Sequence, residues 1–307
     1  MTRLGSGARI SDALRGGIIA LGNFDGFHAG HQQVAAEAIR WARSEGRVAI
    51  IATFDPHPVR FFKPDVPPFR LTTLDQRERL FTEAGADAML VFDFNAELAG
   101  TTAEDFIDTL LIDRFGAAGV VTGEDFTFGK ARGGSVAMLA DYGTAQGLKS
   151  RAVGAVADSG AIISSSLVRD ALREGDCAAV TKLLTRPFTI QGTVQHGDKR
   201  GRTIGYPTAN IDMDAYLRPR YGIYAVTGHL PDGRVLKGAA NLGIRPTFDP
   251  PKELLEPYFF DFDEDLYGQE IEVALHHFLR PEAKFDDMDA LVTQMNADCA
   301  RAKELLT

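Results

Sequence analysis

The sequence predicts two domains of different class: a doubly wound α/β domain with a parallel sheet, followed by a small antiparallel β-barrel that ends in a helix. Three observations carry this. Between residues 18 and 156, short apolar β-type runs alternate with amphipathic helical stretches, the pattern of linked βαβ units. At Arg186-Pro187 the pattern breaks, and five β-type runs follow, at 188–194, 221–228, 234–242, 258–262 and 271–278, separated by turns. Residues 287–306 then read as an amphipathic helix, with Leu291, Met295, Cys299 and Ala302 on one side. A chain of 307 residues has room for two domains of ordinary size, and the change of character divides it into 1–185 and 186–307.

The first apolar run, Ile18 to Leu21, reads as the end of a buried strand. Gly22, Gly26 and Gly30 fall in the turn after it, and residues 32–43 run with helical periodicity, Val34, Ala35, Ala38, Ile39 and Ala42 sharing a face. His28 and His31 therefore sit where a strand hands over to a helix. Free backbone N–H groups and the positive end of the helix dipole face whatever binds there. Two imidazoles can donate to anionic oxygens, and Gly30 lets the backbone approach closely, which suits a triphosphate. Two other readings stand beside this one: a metal pair, which lacks a third ligand nearby, and helix-terminal histidines with a purely structural role.

Residues 48–53 form a second β-type run, closed by Phe54-Asp55-Pro56-His57-Pro58, where two prolines exclude helix and make a rigid loop. Phe61, Phe62 and Phe69 follow, either as a satellite core or as a platform for a flat ligand. Helix is expected over 75–84 and over 103–115, the latter capped by Thr102, with strands at 88–92, 119–122 and 148–156. Ligands should gather at the carboxyl ends of these strands. No Gly-x-Gly-x-x-Gly follows the first strand, which argues against a dinucleotide site. The run from Gly123 to Ala131 resembles a P-loop, but its glycine spacing is one too long and Ala131 replaces the magnesium-binding hydroxyl. It reads as a strand-end loop. Ser164, Ser165 and Ser166 precede a helix carrying Arg169. They are either helix caps alone or, with the guanidinium, a grip on a triphosphate.

A second concentration of polar chemistry runs from Gly197 to Asn210. Lys199, Arg200 and Arg202 interleave with Gly197, Gly201 and Gly205, either as a flap over polyphosphate or as a basic hairpin with turn glycines. Thr208 and Asn210 alternate along an extended segment and offer a hydroxyl and an amide carbonyl, hard oxygen ligands for magnesium carried by ATP.

The bulk properties narrow the choices. Hydrophobic content of 45% and charged content of 24% are those of a globular protein. A net charge of −9 argues against general binding to nucleic acid or to anionic membranes, so any phosphate site must be built locally. The two cysteines, Cys177 and Cys299, read as thiols. The N-terminus has no signal-peptide core and no apolar run approaches the ~20 residues of a membrane span, so a cytoplasmic location is expected.

Taken in order, the motifs resemble the bifunctional bacterial riboflavin kinase/FMN adenylyltransferase (FAD synthetase) family. They are Gly22-Asn-Phe-Asp-Gly-x-His-x-Gly-His31, Phe54-Asp-Pro-His-Pro58, Gly123-x-Asp-Phe-x-Phe-Gly129, the serine-arginine segment 164–169 and Gly205-x-Pro-Thr-Ala-Asn210. They continue with Tyr221-Gly-Ile-Tyr224, Asn241-Leu-Gly-Ile-Arg-Pro-Thr-Phe248, Asp265-Leu-Tyr-Gly268 and Leu279-Arg-Pro-Glu-x-Lys-Phe285. The resemblance implies that the first domain transfers AMP from ATP to FMN and that the barrel phosphorylates riboflavin. It implies His28 and His31 at the transferring phosphates. Gly22, Phe24, Gly30, Ser164, Ser165 and Arg169 would bind ATP in the first domain, and Gly197, Lys199, Gly201 and Gly205 in the second. Phe54, Asp125 and Phe128 would hold flavin in the first domain, and Arg280, Lys284 and Phe285 in the second. Thr208 and Asn210 would hold magnesium with ATP, and Glu256 would be the base for the ribityl hydroxyl. ATP, riboflavin and FMN would be the small-molecule partners. A flavin-binding regulator that has lost one activity, and an adenylyltransferase with another acceptor, are the competing readings. Two departures stand out: Thr185 occupies a position where glycine is common, and Pro257 follows Glu256, which would put Glu256 at a strand edge or end.

Overall fold

In the computed structural model all residues are described except 6, 8, 9, 159, 197–204 and 246–251. The first sheet has six parallel strands: β1 (Thr2–Gly5), β2 (Ile18–Leu21), β3 (Ala49–Asp55), β4 (Ala88–Asp93), β5 (Gly119–Gly123) and β6 (Lys149–Val153). Their order is β1-β4-β3-β2-β5-β6. The chain thus builds outward from β2 in one direction and then returns to add β5 and β6 on its other side. The junction of β2 and β5, in register at Ile18 with Gly119, is the topological switch point, where ligands of this fold class bind.

Both faces of the sheet are covered. Along β2, Ile19 and Leu21 enter one apolar cluster with Phe92, Phe106 and Phe115. Ile18 and Ala20 enter the other, with Val34, Ala38 and Trp41 of helix α1 (Ala29–Ser44). A period of two with both sides apolar is what a doubly covered parallel strand requires.

The structure departs from the sequence-based expectation in four places. The edge strand β1 is not anticipated, because four residues beside an unpatterned segment give no periodic signal. The prolines after β3 do not exclude helix: Pro58 opens the short helix α2 (Pro58–Phe62), because a first-turn proline lacks only an N–H that would go unused. The helix expected over 103–115 is α-helical only at Ala103–Asp105 and π-helical at Phe106–Arg114, so that the Phe115 N–H reaches Leu110 O at 3.0 Å. The strand expected at 258–262 instead runs over Lys252–Phe259.

The second sheet is antiparallel: β7 (Phe188–Thr193), β8 (Ile211–Asp212), β9 (Gly222–His229), β10 (Val235–Arg245), β11 (Lys252–Phe259) and β12 (Glu270–Arg280). In the order β7-β12-β9-β10-β11-β8 it curls into a nearly closed barrel. The ends approach where the Gln195 N–H donates to Asn210 O at 2.8 Å. The C-terminal helix (Met288–Leu305) is capped by Asp287, whose carboxylate accepts from the Ala290 N–H at 2.8 Å. Cys299, Ala302 and Leu306 pack on Ala225, Ala239 and Leu279.

The chain divides into two compact units, Met1–Val66 with Leu74–Ser164, and Pro67–Thr73 with Ser165–Thr307. Helices α4 (Ser165–Glu174) and α5 (Cys177–Leu184) count with the barrel, and so does a strap, Pro67–Thr73, drawn from the middle of the first unit's sequence. The Arg70 N–H donates to Ala215 O at 3.1 Å, and the Leu217 N–H donates to Arg70 O at 2.8 Å. The Thr73 hydroxyl meets Gln191 Oε1 at 3.0 Å. Helix α5 ends on Thr185 with φ of +62°, the left-handed conformation that glycine adopts without strain. Among the described residues no helix is long and apolar enough to cross a membrane.

Candidate functional site

The first concentration of sequence-predicted residues lies at the carboxyl end of β2. His28 is the N-cap of α1, and its Nδ1 accepts the His31 N–H at 3.3 Å. The two imidazoles stack with ring centroids 3.6 Å apart. Gly30 leaves room for this stack: a Cβ there would crowd His28 Cε1 at 3.2 Å and touch Ile163 O at an ordinary 3.6 Å. The second distance also brings the chain leading into Ser164 beside the histidine loop. Gly22 lies under Phe24, whose ring a Cβ would meet at 3.2 Å. Phe24 itself is buried, its ring edge-on to His31 at 5.2 Å and to Phe81 at 5.8 Å.

Beyond these, the predicted residues are distributed as follows. Ser165 opens α4, and Arg169, one turn on, donates from Nε to Phe69 O at 2.9 Å with its guanidinium over the Phe69 ring. Phe54 and Phe128 are both buried in the same apolar cluster. Phe54 stacks on Phe92, and Phe128 packs against Phe106 and Phe126. Asp125 is exposed in the loop after β5.

Sequence reasoning missed a buried ionic group directly behind the histidine loop. Asp25 and Arg77, the latter on α3 (Leu74–Glu83), have side chains only 2% exposed each and lie 3.3 Å apart. Arg77 Nη1 donates to Thr53 Oγ1 at 3.0 Å, and the Thr53 hydroxyl donates to Asn23 O at 2.7 Å. Arg77 reads in the sequence as one polar residue of a charged helix. Its only sequence signal is an Asp set between Phe24 and Phe27.

The second concentration lies in the barrel. Gly197, Lys199 and Gly201, with Arg200 and Arg202, fall outside the described residues. Gly205 is exposed with φ of +85°, Thr208 is half-buried, and Asn210 is buried. Glu256 is in mid-strand on β11, paired with Asn241 of β10, whose Nδ2 lies 3.4 Å from Glu256 Oε2. Glu256 therefore does not end the strand, and the edge that Pro257 requires lies on the side of β11 turned away from β10. The Pro257 carbonyl accepts from the Ala209 N–H at 3.0 Å, and in an extended strand a residue's nitrogen and carbonyl point the same way. The missing N–H therefore faces the side where β8 has already ended, after pairing Ile211 with Leu255, and no ladder bond of β10 is lost. The same register continues to set Asn210 opposite Glu256.

Glu253, three residues earlier on β11, accepts from Tyr221 Oη and from Arg218 Nε. Burial pushes its carboxyl up, but these two hydrogen bonds outweigh it and hold Glu253 below the ordinary range. Burial and that carboxylate together push Tyr221 up to about 12. Arg280 is gripped by Asp298 of the C-terminal helix, with Nε to Oδ1 at 2.9 Å and Nη2 to Oδ2 at 2.7 Å, and its guanidinium lies 5.7 Å from the Phe285 ring centre. Lys284 is exposed. Among the described residues no cluster of three His, Cys, Asp or Glu side chains could hold a metal.

The FAD synthetase family model matches residues 10–167 and the riboflavin kinase model residues 184–306. The bifunctional riboflavin kinase/FMN adenylyltransferase of Escherichia coli K12 is 36% identical over 94% of this chain and 92% of its own length. The chain belongs to the bifunctional riboflavin kinase/FMN adenylyltransferase family. The protein of that name from Pseudomonas fluorescens is 38% identical, covering 95% of this chain and 93% of its own. Among solved structures, one described as a macrolide-efflux protein from Streptococcus pneumoniae matches with a TM-score of 0.86 and 30% identity, over 97% of each chain. In this family member the adenylyltransferase domain, with the histidine loop, precedes the kinase domain, with the Thr208–Asn210 and Glu256 constellation.

Proposed function

We propose that the two domains carry out consecutive steps on one flavin, with the residues that the sequence singles out in named roles. The barrel phosphorylates riboflavin with ATP to give FMN. The first domain then adenylylates FMN with a second ATP and releases pyrophosphate. The functional division falls between residues 185 and 186.

In the first domain, His28 and His31 donate to the phosphate oxygens on which charge grows during transfer. Gly22, Gly30, Ser164, Ser165 and Arg169 bind the rest of ATP. Phe24 contributes through its buried ring, which backs His31. Phe54, Asp125 and Phe128 hold the flavin. The stacked histidines at the start of α1 are the observation that carries this reading, because they join two donors to the positive end of a helix at the switch point.

In the barrel, Glu256 orients and deprotonates the ribityl hydroxyl for attack on the γ-phosphate. Gly197, Lys199, Gly201 and Gly205 approach the ATP phosphates, and Arg280, Lys284 and Phe285 the flavin. Thr208 and Asn210 hold the magnesium of Mg-ATP, which neutralises phosphate charge when bound. Asn210 is a buried amide beside a half-buried hydroxyl, a donor set that suits a hard cation already carrying phosphate oxygens. No basic surface or membrane span is needed, and the cytoplasm is the compartment assigned.

One assay tests the reading. Incubation with riboflavin and Mg-ATP, resolved chromatographically, should give FMN first and FAD after it. FMN without FAD would remove the first-domain assignment, and no product would favour a flavin-binding regulator.

A further inference from the structure

We propose that the buried Asp25–Arg77 pair is a positioning device for adenylyl transfer, fixing the backbone turn at Phe24 that sets His31 and, through it, His28. The device acts on the turn at two points. Arg77 reaches Asp25 directly at 3.3 Å, and it reaches Asn23 through the Thr53 hydroxyl, at 3.0 and 2.7 Å. These anchors flank Phe24, which has a φ of +49°. Phe27, three residues on, is also left-handed at +43°. Bulky residues avoid this region, and they persist there only where surrounding structure over-determines the backbone. The clamp supplies that constraint at Phe24. At Phe27 the Gln32 amide does so, donating to Phe27 O at 2.9 Å.

The constraint passes to the histidines through a short path of contacts. The Phe24 ring meets the His31 ring edge-on at 5.2 Å, and His31 stacks on His28 at 3.6 Å. A freely rotating Phe24 would leave His31 without its backing wall. A buried ion pair is a poor choice for stability alone, since desolvating both charges cancels most of the attraction. Its use here is geometric: Arg77 offers a rigid planar fork that holds two acceptors at fixed separation. Because neither Asp25 nor Arg77 reaches solvent, neither group touches substrate in this arrangement.

The test uses the full-length protein and both activities. Arg77→Met keeps most of the volume and removes the fork. Adenylylation kcat with supplied FMN should fall by ~10²-fold, while KM for FMN stays within ~3-fold. Riboflavin phosphorylation should be unchanged. Arg77→Lys, which restores a donor but not the fork, should recover part of the loss. Thr53→Val is the milder variant, retaining the ion pair and removing only the relay to Asn23, and should lower kcat by ~10-fold at unchanged KM. Should Arg77→Met fail to fold, as judged by circular dichroism, Thr53→Val decides. Wild-type kcat in Thr53→Val, or a loss confined to KM, overturns the proposal. The inference rests on the histidine assignment, which His28→Ala tests separately. Normal adenylylation in His28→Ala removes that assignment and the proposal with it. A large loss in His28→Ala alongside normal kcat in the other variants overturns the positioning role alone.

Discussion

Asn241 faces Glu256 across two antiparallel strands, with its amide nitrogen 3.4 Å from one carboxylate oxygen and also 3.4 Å from Glu282. The amide stands between the two carboxylates as a long, shared donor. In the same cross-strand row, Asn210 stands on the other side of Glu256. Asn241 and Glu256 sit on paired strands that cannot slip by one residue without turning every side chain to the opposite face.

Glu256→Gln keeps volume and hydrogen bonding but removes the proton acceptor. Riboflavin phosphorylation should fall by ~10²-fold or more, in line with the contribution of a positioned general base. Conversion of supplied FMN to FAD should stay near the wild-type rate. Kinetics with each flavin separately check this, and near-normal kinase turnover would mean that another group, or none, serves the hydroxyl.

Removing Asp298 should loosen the barrel's C-terminal helix. Arg280 would be left with most of its guanidinium covered and no carboxylate, since Asp298 meets both Nε and Nη2. Side-chain exposures of 21% for Arg280 and 9% for Asp298 place the pair short of full burial. Asp298→Ala should therefore cost about 2–3 kcal/mol, below the ~3–5 of a fully buried pair. Urea unfolding of the full chain measures it, and a change under ~0.5 kcal/mol would show the pair to be solvent-screened.

Thr185→Gly should stabilise the protein. A β-branched residue at a φ of +62° carries a penalty of ~1–2 kcal/mol, and glycine's extra freedom in the unfolded chain returns ~0.5–1 of it. The net gain should be ~0.5–1 kcal/mol, read as a small rise in melting temperature with both activities intact. A fall would mean that the Thr185 hydroxyl bond to Leu184 O matters more than the strain.

Residues 165–307, expressed alone, should melt higher than residues 186–307, although both should phosphorylate riboflavin. Helices α4 and α5 bury Val168, Ala171, Leu172, Val180, Leu183 and Leu184. The Arg220 N–H donates to Leu172 O at 2.9 Å, which ties α4 to the barrel's own sequence. Equal melting temperatures would show that these helices add nothing to it.

Much of this architecture is legible in the sequence because it is periodic. The covered strands of the first domain, the histidine loop between β2 and α1, and the alternating runs of the barrel all announce themselves by spacing. What is not legible is what depends on a partner distant in the chain. Arg77 looks like any arginine of a polar helix until Thr53 and Asp25 are brought to it. The strand through Pro257 looks broken until β8 is seen to stop beside it. The predicted aromatic Phe69 proves to lie on a segment that pairs with the barrel, which no local pattern encodes.

The strap at Pro67–Thr73 imposes an order on biosynthesis. It leaves the ribosome between β3 and β4, yet the backbone groups that it matches, at Ala215 and Leu217, are made only after the whole first sheet has been translated. For that interval the barrel side of the Arg70 pairing does not yet exist, and a main-chain pairing that awaits a distant partner is a point at which a nascent chain can misassemble. Pausing of translation before the barrel, or crowding of nascent chains on one messenger, would prolong that interval. The yield of active kinase would then depend on elongation rate, even though the strap belongs to neither set of proposed catalytic residues.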